Sequence, residues 1–219
     1  MEQDLDQIEI VGEANGDSRR TQAERRAESD SRMLRAATQL IAKHGSAGVS
    51  LAKIGVAAGY SRGLPTERYG SKSNLLEAVI DASDAWFQRR LAARLEGHSG
   101  LESLRERVRA HLETVRESRV PTVALFLLII DSAATLPELR PRVQRLNERW
   151  RQGILRDLET ARAAGALPAE LDTERHATLI LSAMHGVAVQ ALIGLGDDDI
   201  MTAAESIIRE LIDEIPRPG

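Results

Sequence analysis

Residues 45–75, GSAGVSLAKIGVAAGYSRGLPTERYGSKSNL, decide how this chain is read. The run describes two short helices joined by a tight turn, followed by the start of a longer helix. Ser50 is placed to cap a helix from Leu51 to Ala58, because a serine hydroxyl accepts a bond from a free N–H of the first turn. Gly59 supplies the positive-φ residue that ends that helix. Ser61 is expected to cap the second short helix and Ser71 the third. Ala52, Ile54, Val56 and Ala57 are small or apolar, so the first short helix can pack closely on a neighbour. Such a pair is the sequence form of a helix-turn-helix, a unit that places its second helix in the DNA major groove.

Charge points the same way. The chain of 219 residues has a formal net charge of −4, but the charge is unevenly spread. Residues 1–18 hold six acids and no base, whereas residues 19–72 hold eleven bases against four acids. The basic excess falls on the stretch that carries the helix-turn-helix, as a phosphate-binding surface requires. Aromatic residues make up 3% of the chain, and Ala, Leu, Arg and Glu abound, a composition that favours helix. With no cysteine, disulfides and thiolate metal sites are excluded. No apolar leader is evident, and the longest apolar run, Val123 to Ile130, falls short of the roughly 20 residues needed to span a bilayer. A cytoplasmic protein without membrane contact is the simple expectation.

Along the chain, residues 1–27 read as a flexible arm, either reaching DNA through Arg19, Arg20, Arg25 and Arg26 or forming a solvated leader. Met33, Leu34, Ala37, Leu40 and Ile41 give a first helix from Ser29 to His44. A long helix from Ser71 to Leu95 follows the helix-turn-helix. Ser99 and Glu102 form an S-x-x-E capping box for the next. Further helices are expected over 121–134, 137–164, 173–193 and 197–215. The pattern is all-α, about nine helices: a three-helix helix-turn-helix domain at 28–75 and a second helical domain at 76–219. Residues 173–193 are apolar almost all round, so cover on more than one side is expected. The a/d-like spacing of the last helix suits a subunit interface.

The order of elements, with Gly59-Tyr60-Ser61-Arg62-Gly63, Tyr69, Ser71, Lys72 and Leu75 at their spacings, resembles the tetracycline-repressor (TetR) family of transcriptional regulators. The resemblance implies that residues 76–219 form a ligand-binding and dimerisation domain, and that the protein is a homodimer joined through its last two helices, which binds double-stranded operator DNA as a repressor and leaves it when a small-molecule effector binds. Two positions depart from the family pattern. Thr66 stands where a phosphate-contacting tyrosine is usual, and Pro65 where an aliphatic residue is usual. An interior proline costs a helix about 3 kcal/mol, but nothing in the first turn. The recognition helix should therefore start late, near Leu64–Pro65, or bend. A helical dimer that binds a small molecule or protein without specific DNA recognition is the alternative.

The candidate DNA-binding residues are Ser50, Lys53, Ser61, Arg62, Gly63, Thr66, Glu67, Arg68, Tyr69 and Lys72. Ser50, Thr66, Tyr69 and Lys72 suit phosphates, with Lys53 adding charge. Arg62 and Arg68 suit guanine O6 and N7. Glu67 either accepts from cytosine N4 or pairs with a neighbouring arginine. The same glycines and Ser61 match the G-x-S-x-G elbow of hydrolases, but that elbow needs a preceding strand where a helix is expected. No enzyme activity, cofactor or metal site is therefore expected. The effector implied by the resemblance would be apolar or amphipathic, with candidate wall residues Trp86, Phe87, His111, Phe126, Ile130, Asp131, Trp150, Met184 and His185.

Overall fold

The computed structural model describes residues 21–194, together with Thr202 and Ser206. Every regular element among them is helical: α1 (Gln22–His44), α2 (Leu51–Ala57), α3 (Leu64–Tyr69), α4 (Lys72–Leu95), α5 (Gly100–Glu117), α6 (Arg119–Ala133), α7 (Arg140–Ala163) and α8 (Thr173–Leu192). A 3-10 turn over Pro137–Leu139 leads into α7. Of the helix expected over 197–215 only Thr202 and Ser206 are described, both of them helical; the rest lies outside the described residues, as do residues 1–20 of the expected arm. Among the described residues no single helix is long and apolar enough to cross a membrane.

α1 starts earlier than its apolar stripe predicts. The Thr21 hydroxyl accepts from Glu24 N at 3.2 Å, and the Glu24 carboxylate accepts from Thr21 N at 2.7 Å. This reciprocal capping box satisfies two free donors and places Arg25 and Arg26 on the helix, not on an arm. The box expected at Ser99 does not form. Ser99 occupies the cap position of α5, but its side chain makes no capping bond. Gly100, the first residue of α5, has φ +57°, so the chain does not enter with the right-handed turn such a box needs. The glycine instead lets the backbone approach α7, where a Cβ would lie 3.3 Å from Ala161 Cα.

The described residues fall into two compact units, 21–86 with 120–140, and 87–119 with 141–194. The expected boundary at residue 75 lies inside α4, the two units divide after Trp86, and α6 from Val120 onward joins the helix-turn-helix unit. In that unit Met33, Ala37 and Ile41 of α1, Ile54 of α2, and Leu75, Leu76, Val79 and Ile80 of α4 are buried. Each large side chain so buried stabilises the fold by about 1.5–3 kcal/mol relative to exposure. The second unit buries Leu91, Leu104, Leu112, Ile154 and Leu158 around an ion pair of Arg107 and Asp157. In α8, Ala177, Ile180, Leu181, Met184, Val187 and Ala188 face inward. The opposite side carries Leu179, Ser182, Gly186, Val189 and Ile193, all exposed at alternating steps of three and four.

Candidate nucleic-acid interface and effector site

The helix-turn-helix is built around a close approach at Gly55. Ser50 caps α2, its hydroxyl accepting from Lys53 N at 3.3 Å. The helix closes with Ala58 N donating to Ile54 O, and Gly59, at φ +79°, reverses the chain. Tyr60 N then donates to Gly55 O at 2.8 Å. A Cβ on Gly55 would lie 2.4 Å from Ser61 O and 3.1 Å from Pro65 Cδ, so only glycine fits. Pro65 is buried in the first turn of α3, where its missing N–H leaves no bond unmade. The recognition helix thus begins late, as the proline predicts. Ser61 is not its cap. Gly63 holds that position without a side-chain bond, and Ser61 contributes its carbonyl, which accepts from Leu64 N at 3.3 Å.

Six residues of helix present little more than one inward and one outward face. Ser61, Arg62, Gly63, Thr66 and Glu67 are exposed, together with Ser50 and Lys53. Arg68 and Tyr69 turn inward with Pro65, three and four residues on. The Arg68 guanidinium donates to Ser29 Oγ at 3.0 Å and lies 3.4 Å from Asp30 Oδ1. It is therefore bound to α1 and does not reach toward base edges. The Tyr69 hydroxyl is buried without a hydrogen-bond partner. Burial, and then the Asp30 charge, push its pKa up to about 12, so it is neutral and shielded from a phosphate. Lys72, half-buried, donates from Nζ to Ser46 O at 2.6 Å. It braces the turn between α1 and α2, with two donors left over. Ser71 takes up the capping role expected of it, accepting from Asn74 N at 3.1 Å.

The effector candidates separate into groups. Asp131, at the end of α6, accepts from Ser46 Oγ and, at 3.2 Å, from Thr135 Oγ1. It thereby links the end of α6 to the turn between α1 and α2, and does not join the ring cluster of the second unit. Ile130 beside it is 58% exposed. Trp86 is half-buried and Phe126 buried, in the first unit. Phe87, His111, Trp150 and His185 do converge, in the second unit. Their ring centroids lie 6.2 Å (Phe87–His111), 5.8 Å (Phe87–Trp150), 6.0 Å (His111–Trp150) and 5.4 Å (Trp150–His185) apart. His111 also bonds the Met184 backbone. Its Nε2 is buried with no hydrogen-bond partner, so the bond belongs to Nδ1–H and Nε2 carries a lone pair.

Burial, then the nearby His185, push the His111 pKa down to about 4, and burial lowers that of His185 as well. Both rings are neutral near pH 7. The native pKa of His111 is below its unfolded value, so its contribution is present above about pH 6.5 and lost as the pH falls toward 4. Over that window the unfolded state takes up a proton that the native state does not. The expected loss is about 3 kcal/mol, read as a falling midpoint of thermal unfolding. In His111→Phe the slope should flatten between those pH values; an unchanged slope would remove this account.

Two family models match the chain: "Bacterial regulatory proteins, tetR family" over residues 33–79, and "BetI-type transcriptional repressor, C-terminal" over residues 100–217. A curated relative, the HTH-type transcriptional regulator CymR of Pseudomonas putida, is 29% identical over 189 residues, covering 80% of this chain and 84% of that protein. A TetR transcriptional regulator from Chloroflexus aurantiacus superposes with a TM-score of 0.76 at 25% identity, over 88% of this chain and 98% of that one. A transcriptional regulator from Saccharomonospora viridis, solved in complex with choline, gives 0.75 at 22% identity, over 86% and 97%.

Proposed function

We propose that this chain, which belongs to the TetR family of transcriptional regulators and is not an enzyme, acts as a homodimeric repressor that binds a near-palindromic operator and is released by a small molecule. The observation that carries this reading is the exposed face formed by Ser50, Lys53, Arg62, Thr66 and Glu67 around the tight crossing at Gly55. Arg62 reads a base edge, Lys53 and Thr66 meet phosphates, and Ser50 presents the N-terminus of α2 to the backbone. Two-fold protein symmetry then imposes two-fold operator symmetry. Gel shifts with DNA flanking the gene, repeated across salt, test this. Binding should weaken steeply with salt and resist competition by unrelated sequence. Arg62→Ala should lower operator affinity about tenfold or more and relax one base position. Salt-independent binding without sequence preference would retire the reading.

The inward turn of Arg68 and Tyr69 favours one alternative, a helical dimer that binds its ligand without specific DNA recognition. Restoring leucine at Pro65 and tyrosine at Thr66 discriminates: gained operator affinity from an undetectable baseline would support it. The dimer itself is assigned to α8, whose exposed Leu179, Val189 and Ile193 alternate with small Ser182 and Gly186, together with the last helix, of which Thr202 and Ser206 are described. Small residues in such a stripe let two helices approach closely.

The effector is assigned to the box of Phe87, His111, Trp150 and His185. Its molecule is apolar or amphipathic, because the box offers ring faces, a lone pair and no ionised group of its own. The Saccharomonospora viridis relative binds choline, and ring faces of this kind attract such a cation. Effector binding acts only through a difference in affinity between the DNA-bound and free arrangements. Trp150→Ala should leave operator binding in place and abolish effector release.

A further inference from the structure

We propose that the acidic segment Glu2–Asp17 docks in the groove between α1 and α2 and competes there with DNA. An open groove of about 780 Å³ runs along this side of the helix-turn-helix unit. Its lining includes the apolar Leu40, Ala52, Val56 and Ala57 and the cations Lys53 and Arg62, and Lys53 Nζ spends one of its three donors on Gly48 O at 2.8 Å. Val56, in the same lining as both cations, is a bare aliphatic side chain 57% exposed. The segment has the matching pattern. Acids at 2, 4, 6, 9, 13 and 17 flank Leu5, Ile8, Ile10 and Val11, and no base occurs before Arg19.

The tether is long enough. From Gln22 to Leu40 along α1 is about 27 Å at 1.5 Å per residue. The stretch from Val11 to Gln22 spans up to about 36 Å when extended. A segment without bases gains nothing from phosphates, while Lys53 and Arg62 favour it at the groove. The competition rests on the DNA-binding reading above, and its consequence is selective. Binding to unrelated DNA is almost wholly electrostatic, so masking two cations weakens it most, and operator binding keeps its base contacts. The segment thus filters against non-operator DNA.

The chain has no cysteine, which makes cross-linking clean. In the full chain, Gln7→Cys with Ala57→Cys should form an intramolecular disulfide on mild oxidation, whereas Gln7→Cys with Ala82→Cys should not. The oxidised pair should bind unrelated duplex about tenfold more weakly, and reductant should restore the affinity. A second variant separates docking from bulk charge. Leu5→Ser, Ile8→Ser, Ile10→Ser and Val11→Ser together keep every acid, and should tighten binding to unrelated duplex about fivefold. Equal cross-linking of both cysteine pairs, or wild-type affinity in the serine variant, overturns the proposal. A selective cross-link in a protein that binds no DNA in any variant overturns the repressor reading and the competition with it, while the docking stands.

Discussion

Gly55→Ala should destabilise the helix-turn-helix unit and cut operator affinity by at least about a hundredfold. The usual sign is the reverse: alanine replacing glycine inside an unstrained helix stabilises it by up to about 1 kcal/mol. Here the added methyl is the Cβ itself. It would stand 2.4 Å from the Ser61 carbonyl oxygen and 3.1 Å from the Pro65 ring. Neither neighbour is a flexible side-chain tip. Ser61 O belongs to the turn and accepts from Leu64 N, and Pro65 is locked by its ring and buried. Relief therefore requires α3 to swing away from α2, and overpacking of this kind costs typically about 1–3 kcal/mol. A swing of α3 displaces Arg62, Thr66 and Glu67 together, and a shift of about an ångström would forfeit the DNA contacts proposed for them. Operator affinity by fluorescence anisotropy and the thermal midpoint check this. An alanine variant with wild-type values for both would show that the crossing has slack.

Asp157→Ala should cost about 3–5 kcal/mol, the usual cost of leaving a buried ion without its partner. Arg107 Nε lies 2.7 Å from Asp157 Oδ2, and Ser103 Oγ donates to Oδ1 at 2.8 Å. Both charged residues are less than a tenth exposed. The guanidinium rests on Gly153, where a Cβ would come within 2.7 Å of Nη1, so the cation has no second seat nearby. Removing the carboxylate strands the arginine and leaves Ser103 without an acceptor. The double variant Arg107→Met with Asp157→Leu should recover most of the loss, since apolar residues of similar volume often replace a buried pair without cost. Denaturant midpoints of the single and double variants measure the difference. A single variant as stable as the double one would mean that water replaces the carboxylate.

The helices were legible because their signals are local. Ser50 and Gly59 bound α2 through their own chemistry, and Pro65 announced the late start of α3 through the missing N–H. The stripe of α1 gives its inward face but not its start, which lies at Thr21 and Glu24, a T-x-x-E box eight residues before the stripe's expected first turn at Ser29. The opposite error occurred at Ser99, where a matching S-x-x-E pattern met a glycine held at positive φ by its approach to α7. Capping patterns predict bonds only when the following residue takes a right-handed turn, and that depends on packing.

The candidate site divides along the same line. Charge, spacing and the glycine-bounded turn point to a DNA-binding helix-turn-helix, and for Ser50, Lys53, Arg62, Thr66 and Glu67 the structure leaves the side chains exposed. Arg68, Tyr69 and Lys72 look equally fit for DNA in one dimension. Only the tertiary structure turns them onto Ser29, Asp30 and Ser46. Gly55 and Asp131 show the limit from the other side, since neither carries a local mark of its role. A Cβ clash exists only between two helices already crossed, and Asp131 meets Ser46 across 85 positions of chain. The sequence by itself determined which segments are helical, which of them a local cap, proline or glycine bounds, and which one is basic, because those follow from neighbours within a turn. Which cations are left over for a phosphate was decided only in three dimensions, where side chains distant in sequence compete for the same partners.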